Sequence, residues 1–367
     1  MTLDLGVLQR QCATAHLNFA LYAVEGESYP ENMVFTPRDM VGRRFANHKG
    51  RHMVCSYVEE AAALGEVPNA HFVPDFTKGL AGYEGLSGAN WDEHTIHWRN
   101  MINNLKHMNL TLDRLPQADT VFCVGSGPAL MKNWRELERV KGRPGCAIIG
   151  CNELLQYLPA GLLDYYMVLD ACSPDRWWEG RDCSRTTAIF GPPVPPSYLK
   201  ANWQRVLWYK IGLASPFNRR VARKRGNLVP LIPMYGVGPT ELQVAWLMKP
   251  KTVILVGHSY AYDRINGVIY EHINEPLTPD RWEGQLRAIS EFATTDINGA
   301  PIVTDYNILI TGMATLASCQ LLIDAGVRVI NATEGGILKS NNSLPAFAKR
   351  AVFPERATLA SVVGELA

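Results

Sequence analysis

The stretch from Thr120 to Asp170 decides the predicted fold; it begins Thr-Val-Phe-Cys-Val-Gly-Ser-Gly-Pro-Ala-Leu and ends Asp-Tyr-Tyr-Met-Val-Leu-Asp. It contains three short apolar runs, over residues 121–124, 146–149 and 166–169, and a helix-compatible segment over residues 130–140. Strand and helix patterns continue to alternate further along the chain. This alternation predicts an α/β fold with a mostly parallel sheet flanked by helices.

The turn after the first strand has the sequence Gly125-Ser126-Gly127-Pro128. Gly125 and Gly127 allow a tight turn without Cβ clashes, and the N-terminus of a following helix attracts anions. The turn therefore predicts phosphate binding. Gly-x-Gly also occurs in strand-to-helix turns that bind nothing, so both interpretations stay open at this point.

Polar residues follow the next two strands. Asn152 follows the second strand and Asp170 ends the third. Because the carboxyl ends of parallel strands line the ligand crevice of a doubly wound sheet, we expect Gly125, Asn152 and Asp170 to converge. The alternative is that Asn152 and Asp170 are ordinary turn residues.

A second glycine-rich helix start follows at residues 234–241, Met-Tyr-Gly-Val-Gly-Pro-Thr-Glu. A helix to about residue 248 and a strand over residues 252–256 come next. This pattern places Gly238 and Thr240 beside the presumed crevice, as candidate ligand-binding residues.

Two histidines are candidates for proton transfer. His258 follows the strand over residues 252–256, and His272 lies on a predicted loop. Imidazole has a free pKa near neutrality, which suits acid–base chemistry. His258 fits a hydrogen-bonded structural role equally well. Tyr260 and Tyr262 are expected to donate hydrogen bonds to a leaving phosphate.

The last α/β unit consists of a predicted helix over residues 308–325 and a strand over residues 327–330. The strand runs into Asn-Ala-Thr-Glu-Gly-Gly at residues 331–336. Asn331 and Thr333 are therefore further candidates for ligand contact at the crevice rim.

The composition describes an ordinary globular protein. The 367 residues are 47% hydrophobic and 19% charged, with a net charge of +1, so no overall field attracts nucleic acid or a membrane surface. We find no apolar run of about 18 residues and no signal peptide, and expect a cytoplasmic location. The eight cysteines lack metal-ligand spacing and are interpreted as reduced thiols.

The predicted organisation has three parts: an α+β accessory region over residues 1–115, a nucleotide-binding catalytic domain over residues 116–340, and a C-terminal tail over residues 341–367. Residues 171–233 are expected to form an insertion or lid. A helix over residues 91–110 is predicted to end the first part. Its His94 and His97 lie on one helix face, within reach of a common metal, but no third ligand is evident.

Several blocks together resemble the family that joins archaeal 6-hydroxymethylpterin diphosphokinases with the motility-associated-factor glycosyltransferases of bacteria. That family is in turn similar to bacterial sialyltransferases that use CMP-activated sugars. The resemblance covers residues 95–340 and rests on Gly-Ser-Gly-Pro-Ala-Leu at 125–130, Gly-Cys-Asn at 150–152, Asp-Tyr-Tyr-Met-Val-Leu-Asp at 164–170, Ile-Leu-Val-Gly-His-Ser-Tyr at 254–260 and Ile-Asn-Ala-Thr-Glu-Gly-Gly at 330–336.

The resemblance implies a Rossmann-like fold and gives individual residues roles. Gly125, Ser126, Gly127, Pro128 and Asn152 would bind nucleotide, and Asp170 would belong to the active site. Three departures are visible: Ala129 replaces a usual Ser, Ser259 replaces a common Asp, and Thr304-Asp305-Tyr306 stands where sialyltransferase-like members have a catalytic His.

Three functions follow as hypotheses. The favoured one is a glycosyltransferase with a nucleotide-activated, for example CMP-linked, donor and an unknown acceptor. The alternative is an ATP-dependent diphosphokinase, in which Asp170 and Asp263 would hold Mg²⁺. The third is a non-catalytic module that binds nucleic acid or another polyanion through the basic run at residues 219–225, the least favoured of the three because the domain around it is not basic.

Overall fold

The structure is a computed structural model that describes residues 100–211, 224–231, 236–265, 268–276, 292–299, 301–304, 306–338 and 354–366. The elements below belong to one compact unit, residues 100–211 and 228–367. The predictions for residues 1–99, His94 and His97 included, lie outside the described residues, and so does most of the basic run. Residues 100–104, from the predicted helix over residues 91–110, are helical.

A nine-stranded parallel sheet forms the centre of this unit. Its strands are β1 (Thr120–Val124), β2 (Cys146–Cys151), β3 (Tyr165–Val168), β4 (Thr187–Phe190), β5 (Arg205–Ile211), β6 (Val229–Leu231), β7 (Thr252–Val256), β13 (Arg328–Asn331) and β14 (Glu355–Arg356). Two small antiparallel sheets are formed by β8 (Asp263–Ile265), β9 (Val268–His272) and β10 (Glu275–Pro276), and by β11 (Phe292–Thr295) and β12 (Pro301–Thr304). The described helices are α1 (Leu154–Tyr157), α2 (Val237–Leu247), α3 (Tyr306–Asp324) and α4 (Leu359–Glu365).

The strand order is β14-β13-β7-β1-β2-β3-β4-β5-β6. The chain builds outward from β1 to β6 and then returns to place β7 on the other side of β1. The order therefore reverses between β1 and β7, where an open α/β sheet leaves a crevice at the carboxyl ends of its strands. The predicted α/β, Rossmann-like fold is confirmed.

The central strands form the core of the sheet. Every residue of β1 is buried, and so are the last four residues of β7. Parallel strands covered on both faces need continuous apolar runs, which is the pattern that the sequence shows at both places. Residue pairs such as Val121 with Val253 set a regular register between the two strands.

The helix predicted over residues 130–140 does not form. Two 3-10 helices, Pro128–Lys132 and Trp134–Arg139, take its place and meet at Asn133, whose φ of −140° is not helical. The Asn133 amide donates to the Ala332 carbonyl oxygen at 3.2 Å and to Glu334 Oε1 at 2.9 Å. These tertiary hydrogen bonds override the local helix preference.

Residues 171–233, expected as an insertion or lid, instead supply three strands of the main sheet, β4, β5 and β6. Proline-rich turns around residues 192–196 interrupt the apolar pattern there, so the sequence pattern does not predict these strands. The buried amide of Asn104 fixes this turn by donating to the carbonyl oxygens of Pro192 at 3.0 Å and Val194 at 2.7 Å. The C-terminal tail includes α4 and adds β14 at the sheet edge.

Within the ranges given above, no helix is both long and apolar enough to cross a membrane.

Candidate active site

A cleft of about 280 Å³ lies where the strand order reverses. Its walls come from the loops after β1, β2 and β7, the start of α2, the end of β9 and the first turns of α3. The predicted site residues that line the cleft are Gly125, Ser126, Gly127, Asn152, Gly238, His258, Tyr260 and His272. The convergence expected at the strand ends is seen for Gly125 and Asn152.

The loops after β1 and β7 pack directly against each other at the cleft floor. A Cβ atom on Gly125 would lie 2.9 Å from the Gly257 carbonyl oxygen, and one on Gly127 would collide with the same oxygen. Gly257 itself has a φ of 69°, in the left-handed region, and a Cβ there would collide with the Gly125 carbonyl oxygen. These glycines are required by the close approach of two backbones.

The amides of the Gly-Ser-Gly-Pro turn are engaged within the protein. Gly125 N–H donates to Val256 O and Gly127 N–H to Gly257 O, both at 2.8 Å. Ala129 N–H donates to Ser259 Oγ at 3.2 Å. The structure thus gives this turn a loop-packing role, and its role in nucleotide binding stays a prediction.

The N-terminus of α2 faces the cleft instead. Gly236, Val237 and Gly238 line the cleft, and among the described residues no side chain caps the helix start. Gly236 has a φ of 153°, and a Cβ on it would lie 2.7 Å from the Thr311 methyl carbon. The first amides of a helix lack intrahelical partners and carry its positive dipole end. This terminus is therefore suited to an anion.

His258 lines the cleft but is almost completely enclosed, with its side chain 1% exposed. Its Nδ1 is 2.9 Å from the Tyr260 hydroxyl oxygen, which is 2.6 Å from Thr315 Oγ1. Thr315 donates its proton to the Thr311 carbonyl oxygen, at 2.9 Å. Tyr260 must then donate to Thr315 and accept from His258 Nδ1, because each hydroxyl has a single proton.

This network changes the interpretation of the tyrosines. The Tyr260 proton is directed to Thr315, so it does not point to a leaving phosphate as expected. Tyr262 is buried, with 5% of its surface exposed. The predicted pair of phosphate donors is therefore not formed in this structure.

Glu241 completes the network and was missed in the sequence. Its side chain is fully buried, Oε1 accepts from the Val124 N–H at 2.9 Å, and Oε2 is 3.4 Å from His258 Nε2. Neither Oε2 nor Nε2 has another hydrogen-bond partner among the described residues. Burial raises the pKa of Glu241, against the opposing effect of His258. Since Nδ1 holds a proton for Tyr260, a proton on Glu241 Oε2 is the one that would satisfy both facing atoms. The sequence contains one signal for the importance of Glu241, which is that it is the single charged residue of α2.

His272 is the more accessible histidine. It lies at the end of β9, and its side chain is 36% exposed at the cleft. The neighbouring Ile273 N–H donates to the Ser126 carbonyl oxygen at 2.8 Å, which anchors the hairpin against the β1 loop. His272 Nδ1 is 3.3 Å from Oε1 of Glu153, whose side chain is only 4% exposed. Sequence analysis did not find Glu153, because an acid at a helix start is usually a surface residue.

The two aspartates proposed as metal ligands do not line the cleft. Asp170 is exposed, and its Oδ1 accepts from the Cys172 N–H at 2.8 Å. Asp263 is 4% exposed, and burial raises its pKa while Lys132 opposes that shift. In the part of the chain that the structure describes, no group of three or more His, Cys, Asp or Glu residues could hold a metal. The Mg²⁺ role stays a prediction that no geometry here favours.

The remaining predicted residues support the floor from behind. Pro128 starts a buried 3-10 helix, and Thr240 is buried with its hydroxyl donating to the Gly236 carbonyl oxygen at 3.1 Å. Thr333 Oγ1 accepts from the His258 N–H at 3.1 Å, and Asn331 Oδ1 accepts from the Thr333 N–H at 3.0 Å. The Asn-Ala-Thr-Glu-Gly-Gly block thus holds the β7 loop and makes no part of the cleft wall.

No protein-family model matches the sequence, and no curated protein matches it. Among solved structures, the chain is similar to a MAf glycosyltransferase from Magnetospirillum magneticum AMB-1, with 15% sequence identity and a TM-score of 0.48. The similarity covers 83% of this chain and 48% of the glycosyltransferase chain, so this chain spans about half the length of the glycosyltransferase. We draw no conclusion about activity from a similarity at this level. The fold is assigned from the strand order of the sheet.

Proposed function

We propose that the protein is a transferase, specifically a glycosyltransferase, that binds a nucleotide-activated sugar in the cleft between the β1 and β7 loops. The observation that carries this proposal is the uncapped start of α2, which lies in a crevice at the reversal of strand order. Such crevices are the usual ligand sites of open α/β sheets, and helix N-termini bind phosphate groups.

The chemistry of the walls suits transfer from a nucleotide. A departing nucleotide phosphate needs stabilisation of its developing negative charge, which backbone N–H groups and a helix dipole supply. The acceptor hydroxyl needs a base, and His272 is an exposed imidazole in the same cleft. The cleft volume of about 280 Å³ lies just below the usual range of about 300–1,000 Å³ for small-molecule sites.

Binding is tested with a thermal-shift panel of CMP, CDP, UDP, GDP and ATP, each with and without Mg²⁺. Stabilisation by one of the nucleoside mono- or diphosphates without metal supports the proposal. Stabilisation by ATP with Mg²⁺ alone, followed by AMP release with a hydroxymethylpterin, would favour the diphosphokinase alternative. Release of free nucleotide from CMP-, UDP- and GDP-sugars then tests transfer chemistry directly.

The placement of phosphate at α2 is tested by a matched pair of variants, Val237→Pro and Val237→Ala. Val237 is the first helical residue, where proline is tolerated because its N–H has no intrahelical partner. Both variants remove the isopropyl group of valine, but only proline removes the N–H. A hydrogen bond to a charged group contributes about 1.5–3 kcal/mol, so V237P should bind nucleotide roughly ten- to a hundredfold more weakly than V237A. Equal Kd values by calorimetry would contradict this placement.

A further inference from the structure

Two histidines reach the wall of the cleft, and their surroundings separate their roles. His258 is 1% exposed and is enclosed by Glu241 and Tyr260, which hold its two ring nitrogens. His272 is 36% exposed and has a carboxylate near Nδ1. A group that exchanges a proton with a bound molecule must come within hydrogen-bond distance of it, and burial denies that contact to His258.

We propose that Glu153 and His272 form the acid–base pair of this cleft, with His272 as the catalytic residue and Glu153 as its positioning residue. Glu153 Oε1 is buried without a hydrogen-bond partner among the described residues, and it lies 3.3 Å from His272 Nδ1. A buried carboxylate oxygen in that position accepts the Nδ1 proton of a neutral imidazole. It thereby selects the tautomer in which Nε2 is the basic nitrogen.

The local backbone fixes this geometry from both sides. Glu153 follows Asn152, whose φ of 52° turns the chain at the end of β2, and Tyr166 donates to the Asn152 carbonyl oxygen at 2.8 Å. His272 is fixed through Ile273, whose N–H donates to the Ser126 carbonyl oxygen. The Glu153 side chain does not cap α1, so its burial is not explained by helix capping.

The step that follows rests on the proposed function. The acceptor hydroxyl oxygen forms a bond to the anomeric carbon of the donor sugar, and the bond from that carbon to the phosphate oxygen breaks. The nucleotide leaves with the bonding electron pair, and the hydroxyl proton passes to His272 Nε2. The imidazolium that results is stabilised by the Glu153 carboxylate.

The pair itself is tested without any activity, by ¹⁵N NMR of histidine-labelled full-length protein at a pH where the rings are neutral. The His272 signals are assigned by their loss in His272→Gln. Wild-type protein should show the Nδ1–H tautomer, Glu153→Gln should retain it because its amide oxygen still accepts, and Glu153→Ala should shift the ring toward Nε2–H. An Nε2–H tautomer in wild-type protein overturns the proposal.

The base role is tested by nucleotide release from the CMP-, UDP- and GDP-sugars named above. H272Q should lower turnover at least about 100-fold, with the Kd for nucleotide within about threefold of wild type. His107→Gln, at an exposed position that does not line the cleft, is the matched control and should behave as wild type. Equal turnover in H272Q and wild type overturns the base role. A wild-type protein that cleaves none of the donors contradicts the proposed function instead, and the tautomer measurement then decides the pair alone.

Discussion

Replacing Glu241 tests whether the buried network depends on a proton on Glu241 or on its full charge. Glu241→Gln keeps an oxygen that accepts from the Val124 N–H and places an N–H next to His258 Nε2, where a protonated Glu241 places its own proton. Glu241→Met keeps the approximate volume but removes both interactions. We expect E241Q to lose roughly half as much stability as E241M, because it leaves one buried group without a partner instead of two.

The magnitude follows from the groups left without partners. E241M leaves the fully buried Val124 N–H and His258 Nε2 unsatisfied. Each such group costs about 1–3 kcal/mol, so for the two groups the free energy of unfolding should fall by about 2–6 kcal/mol. For E241Q the loss should be smaller, about 1–3 kcal/mol, since only one amide hydrogen is added without a partner.

The pH dependence gives an independent check. Because burial raises the pKa of Glu241 above its ordinary value of 4.5, the folded protein binds this proton more tightly than the unfolded chain. The contribution of Glu241 to stability is complete below that value and is lost as the pH rises through the folded pKa. Gln does not titrate, so the stability of E241Q relative to wild type should increase from about pH 5 to about pH 8.

Urea unfolding at both pH values measures these quantities, with Glu138→Gln at an exposed helix position as control. If E241Q proved as unstable as E241M, the network would need the full carboxylate charge, and the argument for a proton on Glu241 would be refuted. Equal stability of all three proteins would mean that the contact contributes nothing.

Two further predictions concern the framework around the cleft. Asn104→Ala leaves the carbonyl oxygens of Pro192 and Val194 without their donor, so it should lower the free energy of unfolding in urea by about 2–4 kcal/mol. The control Asn103→Ala, at the exposed neighbouring position, should lower it by under about 0.5 kcal/mol. Equal losses in the two variants would contradict the role of Asn104. Gly336→Ala and Gly142→Ala both place a side chain at positive φ, 74° and 76°, but only at Gly336 would the new Cβ collide with the Ser259 carbonyl oxygen. The free energy of unfolding of G142A should therefore fall by about 1–2 kcal/mol, and that of G336A should fall clearly further. If G336A were no less stable than G142A, the loop that carries Gly336 would not pack tightly against the loop after β7.

Sequence patterns predicted the layer of parallel strands because strands buried on both faces must be continuously apolar, as in β1 and β7. They did not predict the sheet strands in residues 187–231, since proline-rich turns break the pattern there and β6 carries a proline at the sheet edge. The prediction of a helix over residues 130–140 was wrong because the Asn133 side chain donates hydrogen bonds to Ala332 and Glu334, about 200 positions away in the sequence. Local propensity contains no information about such contacts.

For the candidate site, the position of the cleft was predictable and its polar partners were not. Gly125 and Asn152 meet there because strand ends of a parallel sheet share one edge. Asp170 also follows a strand of this sheet and was expected there for the same reason. Its carboxylate instead accepts a hydrogen bond from the Cys172 N–H in the following turn, and Asp170 is exposed. Glu153 and Glu241 acquire their importance only through burial, which depends on how the helices cover the sheet.

The glycine contact between the β1 and β7 loops has a consequence for how ligand preference can change. Gly125, Gly127 and Gly257 face each other so closely that any side chain would push the two loops apart. At these three positions the floor of the cleft is therefore a backbone surface with no side chain that could be exchanged. A new donor or acceptor preference has to come from the walls, at positions such as Asn152, Val237 and Thr311, while the floor stays constant.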